Sequence, residues 1–220
     1  HLSIRRQRQM CIRDSINTVK PNVEDTVNFY QVKTQNRYEK FIDTNGTHYS
    51  TTEYNINGNS YPNLTSILEG IDLNILNDTT FNSNFHGDLQ FDNIICNNSK
   101  FKYIDWRRNF GTSTTSGDVY YDLAKMYGGI KIPYNLMKND NNITLTESSS
   151  AVEYTYKQLS VLDTVKAEFE YLVQQHGYDL DRIKLITGLI YLNMSPMHTG
   201  NFSKMLWFKA ITILSQYANK

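Results

Sequence analysis

Asp88, Asn93 and Asp105 are the side chains of this sequence best suited to joint chemistry. The first two share the stretch His86-Gly87-Asp88-Leu89-Gln90-Phe91-Asp92-Asn93, and the third closes the apolar run Tyr103-Ile104-Asp105, twelve residues after Asn93. Phosphoryl transfer asks for such a set: one carboxylate that orients a hydroxyl and takes its proton, and two oxygen ligands that hold Mg2+ against nucleotide phosphates. Asp88 is the candidate general base. Asn93 offers a neutral carbonyl oxygen and Asp105 a charged one, which suits a hard cation whose shell is completed by water and phosphate. Singly, each has an ordinary explanation, because Gly-Asp is common in turns and an Asp often ends a strand. The weight lies in their common register.

A hairpin is expected to carry the set. Residues 93–96 and 101–106 read as two short strands joined by Asn97-Asn98-Ser99, so Asn93 starts one strand and Asp105 ends its partner. Cys96 falls in the first of these strands and reads as a packed thiol. Upstream, Asn22 is placed to cap a helix in which Val27, Tyr30, Thr34, Tyr38 and Phe41 recur at helical spacing. Asn57-Gly58 signals a tight hairpin, and Leu64, Ile67, Leu68, Ile71 and Ile75 mark a second helix. Downstream, residues 118–126 read as a helix ended by Gly128-Gly129. Residues 143–146 and 152–156 read as a hairpin around Glu147-Ser148-Ser149-Ser150. Three helices follow, at about residues 161–176, 180–193 and 202–218. The expected fold is α+β and mainly helical, one domain over residues 22–220 with small β-hairpins at the candidate loops.

The order His-Gly-Asp, four residues, Asn, then a later Asp resembles the aminoglycoside phosphotransferase and choline kinase family, whose fold is protein-kinase-like. The resemblance spans roughly residues 22–218 and implies the C-terminal lobe of that fold, with ATP as donor, Mg2+ as metal and a small-molecule alcohol as acceptor. It implies that Asp88 is catalytic, that Asn93 and Asp105 bind the metal, and that His86 is structural, bonding backbone near the metal-binding Asp. Gly87 stands where protein kinases carry Arg, which removes the residue that couples many of them to activation-loop phosphorylation. The segment Gly117-Asp118-Val119-Tyr120-Tyr121-Asp122-Leu123-Ala124-Lys125 is similar to one downstream of the metal site in the same family. There Asp122 would brace the catalytic loop, and Asp118 would cap a helix or face the substrate.

The segments Asp105-Trp106-Arg107-Arg108-Asn109-Phe110-Gly111 and Tyr191-Leu192-Asn193-Met194-Ser195-Pro196-Met197-His198 look more like the phosphotransferase-like proteins of bacterial surface-polysaccharide loci. That likeness implies a sugar, a polyol or a choline-like alcohol as acceptor. Arg107 or Arg108 would hold phosphate or a substrate carboxylate, against the equally ordinary role of a solvated surface arginine. His198, Tyr154 and Tyr156 are candidates to line the acceptor pocket, with packing as the commoner role for each.

Composition narrows the classes. Lys and Arg together number 22 and so do Asp and Glu, giving a formal net charge of zero, which argues against a nucleic-acid partner. No apolar run reaches the roughly 18 residues of a membrane helix, so the expected setting is cytoplasmic, without a membrane. Two cysteines, Cys11 and Cys96, make a poor disulfide framework and no metal cluster. Sixteen tyrosines and many asparagines suggest coding bias rather than chemistry.

Residues 1–21 are expected to be a non-native or disordered N-terminal segment. Arg8-Gln9-Met10-Cys11-Ile12-Arg13-Asp14-Ser15 resembles translated adapter sequence, with a basic N-terminal arm as the alternative. No Gly-rich phosphate loop and no Lys-bearing strand of the kinase type precedes His86. The nucleotide-clamping N-lobe is therefore expected to be largely absent and the chain as given weak or inactive, with the missing lobe or a fused sugar-nucleotide enzyme upstream. The alternative reading is a non-catalytic kinase-like binding or scaffold module in a polysaccharide-synthesis protein.

Overall fold

Asn22 opens the described chain with a capping box: its side chain accepts from the Asp25 N–H at 2.8 Å, and the Asp25 carboxylate accepts from the Asn22 N–H at 3.2 Å. The computed structural model describes residues 22–77, 82–83, 85–98, 100–114 and 116–219. The segment 1–21, with Cys11, lies outside the described residues. Helix α1 (Val23–Val27) runs through a π-helical turn (Asn28–Val32) into α2 (Lys33–Asn45), and the run stops at Gly46. The π turn sets Phe29 and Tyr30 side by side in the core. A short α3 (His48–Thr51) leads to strands β1 (Tyr54–Ile56) and β2 (Asn59–Tyr61), joined at Asn57-Gly58 with both residues in the left-handed region at φ 49° and 80°. Helix α4 (Leu64–Glu69) ends at Gly70, and a 3-10 turn (Leu73–Asn77) follows. The expected longer helix is broken there, and Ile75 is half exposed.

Strand β3 (Asn82–Ser83) pairs antiparallel with β6 (Gly117–Asp118), which brackets the candidate region. Within the bracket lie a 3-10 turn (Phe91–Asn93) and the hairpin of β4 (Ile94–Asn97) and β5 (Lys100–Tyr103), in the register Ile94 opposite Tyr103. This hairpin stands out from the core. Cys96 is exposed rather than packed, and Ile95, Phe101 and Tyr103 are each about half exposed.

Helix α5 (Val119–Lys131) continues through Gly128-Gly129, where an end was expected. A Cβ at Gly128 would come within 2.6 Å of the Tyr134 hydroxyl and 3.3 Å of the Tyr191 ring, so the glycine serves close packing, not a helix stop. After α6 (Tyr134–Met137) come β7 (Ile143–Glu147) and β8 (Ala151–Tyr156), the expected hairpin. It joins the earlier one in a single sheet of order β2-β1-β8-β7, with β1 and β8 parallel. Asn57 cements that joint: its side chain accepts from the Tyr154 N–H at 2.8 Å and donates to the Tyr154 carbonyl at 3.1 Å, extending the ladder beyond β1.

The C-terminal helices are α7 (Val161–Gln175), α8 (Leu180–Met194) and α9 (Gly200–Leu214). Helix α8 is buried on nearly every side between α5 and α9, as a central core helix must be. Trp207 of α9 is fully buried, stacks on Phe41 at 3.9 Å and donates its indole N–H to the Tyr49 carbonyl at 3.1 Å, tying α9 to the N-terminal helices. The fold is α+β and mainly helical. No helix among the described residues is long and apolar enough to cross a membrane.

Candidate active site

The loop from His86 to Asn93 is held from below by α5. Asp122, in the first turn of that helix and 5% exposed, accepts the His86 N–H at 2.6 Å on one oxygen and the Gly87 N–H at 2.7 Å on the other. Burial raises the Asp122 carboxyl to about 6, against the opposing pull of backbone N–H groups from His86, Gly87 and Leu89. The two donors come from consecutive residues because Gly87 turns the chain at φ 78°. A Cβ there would overlap the Arg107 side chain and come within 2.8 Å of the Phe85 ring.

His86 joins the loop to the second aspartate. Its Nδ1 accepts the Asp88 N–H at 3.2 Å, so the ring proton sits on Nε2 and is donated to the Ile104 carbonyl at 2.9 Å. Burial lowers the imidazole pKa below its ordinary value and keeps this neutral tautomer, while the Ile104 carbonyl, Asp88 and Asp105 pull the other way. Two backbone bonds complete the seam: Arg107 N–H to the His86 carbonyl at 2.8 Å, and Ile104 N–H to the Asn93 carbonyl at 2.9 Å. Asp105 itself sits in the left-handed region at φ 60°, uncommon for a side-chain-bearing residue and concentrated at functional sites.

Asn93 is buried and turns its amide nitrogen onto Asp88, donating to the carbonyl at 2.8 Å and the carboxylate at 3.2 Å. Its Oδ1 accepts no hydrogen bond from a described residue, and neither does the exposed Asp105 carboxylate. The metal fit rests on those two oxygens. Both are oxygen donors of the kind that a hard cation takes alongside water and phosphate. Among the described residues no group of three or more His, Cys, Asp or Glu gathers to hold a metal.

Asp88 is partly buried and fixed on both oxygens. Lys125 Nζ lies 2.8 Å from Oδ1, with the lysine side chain only 9% exposed, and Gln90 donates to Oδ2 at 3.3 Å. Lys125 was not singled out from sequence, although the signal was present: it lies three residues after Asp122 on one helix, so both side chains face the loop. Lys33 is a second omission. Its ammonium sits 4.3 Å from the Phe29 ring centroid, and the Arg107 guanidinium lies 5.3 Å from the same ring.

The remaining sequence candidates take structural or surface positions, except that His198 lies within electrostatic reach of Lys125. Of the two roles expected for Asp118 the structure shows the cap and not the substrate contact: it is 2% exposed, caps α5 through the Tyr120 N–H at 2.9 Å, and binds Arg182 at 3.1 Å and the Tyr30 hydroxyl at 2.8 Å. Arg108 is exposed and pairs with no described carboxylate. Tyr154 is buried in the sheet, and the Tyr156 hydroxyl donates to the Lys131 carbonyl, so neither lines an open pocket. His198 packs on Phe202 at 4.5 Å. No protein-family model, no curated protein and no solved structure matches the chain.

Proposed function

We propose that this chain is the catalytic lobe of an ATP- and Mg2+-dependent phosphotransferase acting on a hydroxyl of a small molecule. The observation that carries the reading is the seam between the two aspartate-bearing segments. Asp122 clamps the loop backbone, His86 ties that loop to the carbonyl just before Asp105, and Asn93 is hydrogen-bonded to Asp88. Such anchoring is what a reaction governed by positioning requires.

Asp88 orients the acceptor alcohol and accepts its proton as the alcohol oxygen bonds to the γ-phosphorus. The bond from that phosphorus to the β,γ-bridging oxygen breaks, and the nucleoside diphosphate leaves. Asn93 and Asp105 are the residues that would hold Mg2+, which neutralises charge on the donor phosphates when bound. Lys125, 2.8 Å from Asp88, holds the carboxylate in place and adds a positive charge beside the reacting group.

Calorimetric titration of the full chain with ATP, with and without Mg2+, tests the reading together with an assay of phosphoryl transfer to alcohols. Mg2+-dependent binding should weaken by roughly tenfold or more in Asp105→Asn. Asp88→Asn should leave binding within about twofold while cutting turnover by a factor of about 100 to 10,000. ATP binding that ignores both Mg2+ and Asp105, or turnover that survives in Asp88→Asn, overturns the proposal.

A further inference from the structure

Positive charge collects beside Asp88 in excess of what Asp88 can balance. Lys33 and Arg107 come from distant parts of the chain, yet both lie over the same two rings. Lys33 Nζ is 4.3 Å from the Phe29 centroid and 5.3 Å from that of Tyr121, and the Arg107 guanidinium carbon is 5.3 Å and 5.8 Å from them. The rings meet edge to face at 4.7 Å and form a shelf under the two cations. Phe110 stacks on Phe29, the ring nearer to both cations, at 4.3 Å and fixes the shelf in the core. Lys125 follows Tyr121 by one turn of α5 and is committed to Asp88 at 2.8 Å. Neither Lys33 nor Arg107 has a carboxylate within ion-pair distance among the described residues.

The charges acting most strongly on the Lys33 ammonium are Arg107, Lys125 and Arg37, with Asp88 opposing them. Burial and those three cations lower its pKa to about 7. A cation held at such a disadvantage is relieved by an anion and aggravated by a second cation. An ammonium-bearing acceptor is therefore the wrong complement for this shelf, and a phosphate or carboxylate is the right one.

We propose that Lys33 and Arg107, seated on the Phe29–Tyr121 shelf beside Asp88, bind an anionic group carried by the acceptor, so that the substrate is a phosphorylated or carboxylated alcohol such as a sugar phosphate. The inference rests on the reading of Asp88 as the group that receives the acceptor hydroxyl. Donor phosphates share the same chemistry, and the test separates the two.

The full chain is titrated with glucose 6-phosphate, glucose, choline and Mg2+-ATP, and each titration is repeated on Lys33→Gln, Arg107→Gln and the charge-retaining Lys33→Arg. Glucose 6-phosphate should bind at least about tenfold more tightly than glucose or choline, and each Gln variant should lose about tenfold of that preference. Lys33→Arg should recover most of it, and Lys157→Gln, at an exposed lysine after β8, should change nothing. Equal affinity for glucose 6-phosphate and glucose overturns the inference. So does a loss confined to Mg2+-ATP, which would assign the cations to the donor. Phosphate preference without any phosphoryl transfer would leave the anion site standing while removing the catalytic reading, and transfer to neutral alcohols alone would do the reverse.

Discussion

Asp122→Ala separates two contributions that the structure sets against each other. The carboxyl satisfies two buried backbone N–H groups, at 2.6 Å and 2.7 Å, and nothing else described accepts from them. Orphaning a buried donor costs about 1–3 kcal/mol, so the truncation should cost about 2–4 kcal/mol when the wild-type carboxyl is neutral. Ionising it in the folded state is unfavourable, because burial lifts its pKa from 3.8 to about 6. A carboxyl with a higher pKa folded than unfolded contributes stability that is present in full below about pH 4 and is lost as pH rises through about 6. Two pKa units correspond to about 3 kcal/mol, of which about 2 kcal/mol falls between pH 4.5 and pH 7.5. Urea denaturation of wild type and variant should therefore give a cost of about 2 kcal/mol at pH 4.5 and close to zero at pH 7.5. Amide exchange at His86 and Gly87 should accelerate in parallel in the variant, since their acceptor is gone. A cost that grows toward neutral pH would mean that the N–H groups favour the charged form more than burial opposes it. No cost at either pH would mean that the loop is not braced by α5.

Gly87→Ala should destabilise by about 1–3 kcal/mol, because the residue sits at φ 78° and its new methyl meets Arg107; part of the loss should return in Gly87→Ala/Arg107→Gly, read by thermal denaturation. A double-mutant cycle of Asp88→Asn and Lys125→Met should show a coupling of about 1–3 kcal/mol in denaturant titrations, since a pair with one nearly buried member strands its partner when cut; simple additivity would refute the pairing. Lys33, held near 7 when folded by burial and by neighbouring cations, binds a proton in the unfolded chain that the folded chain releases, so stability should rise with pH from about 7 toward 10. Lys33→Gln should flatten that rise, and an unchanged slope in denaturation midpoints against pH would exclude Lys33 as its source.

What could be read from the sequence was local. The cap at Asn22, the turn at Asn57-Gly58 and the hairpin of β4 and β5 each follow from chemistry within a few residues and each is present, although Asn93 and Asp105, expected to start and end the hairpin's strands, lie just outside them. What could not be read depends on distant partners. Gly128-Gly129 has the pattern of a helix stop, but Tyr134 and Tyr191 pack against it and the helix passes through. The parallel pairing of β1 with β8 relies on the Asn57 side chain reaching a residue 97 positions away. Apolar spacing made Cys96 look buried, because a run of β-branched residues reads alike on an exposed hairpin and in a core. The candidate site shows the same division. The loop residues were legible by type and spacing, whereas Lys33 carries no local mark, since its relation to Asp88 exists only once Phe29 of the π-helical turn meets Tyr121 of α5.

Lys125 bears on what Asp88 can do in such a site. The Asp88 carboxylate is bound to an ammonium at 2.8 Å and touched by Asn93 and Gln90, so it is fixed in place before a substrate arrives. Fixed aim is what a loose transition state asks of it, because the hydroxyl proton then leaves late and the carboxylate works chiefly by orienting the oxygen. The same lysine would resist an acceptor that brings a positive charge, as would Lys33 and Arg107 on their aromatic shelf. A fixed Asp88 and surplus positive charge around it therefore follow from one arrangement. Both favour an acceptor whose own anion docks on the shelf and leaves its hydroxyl to Asp88.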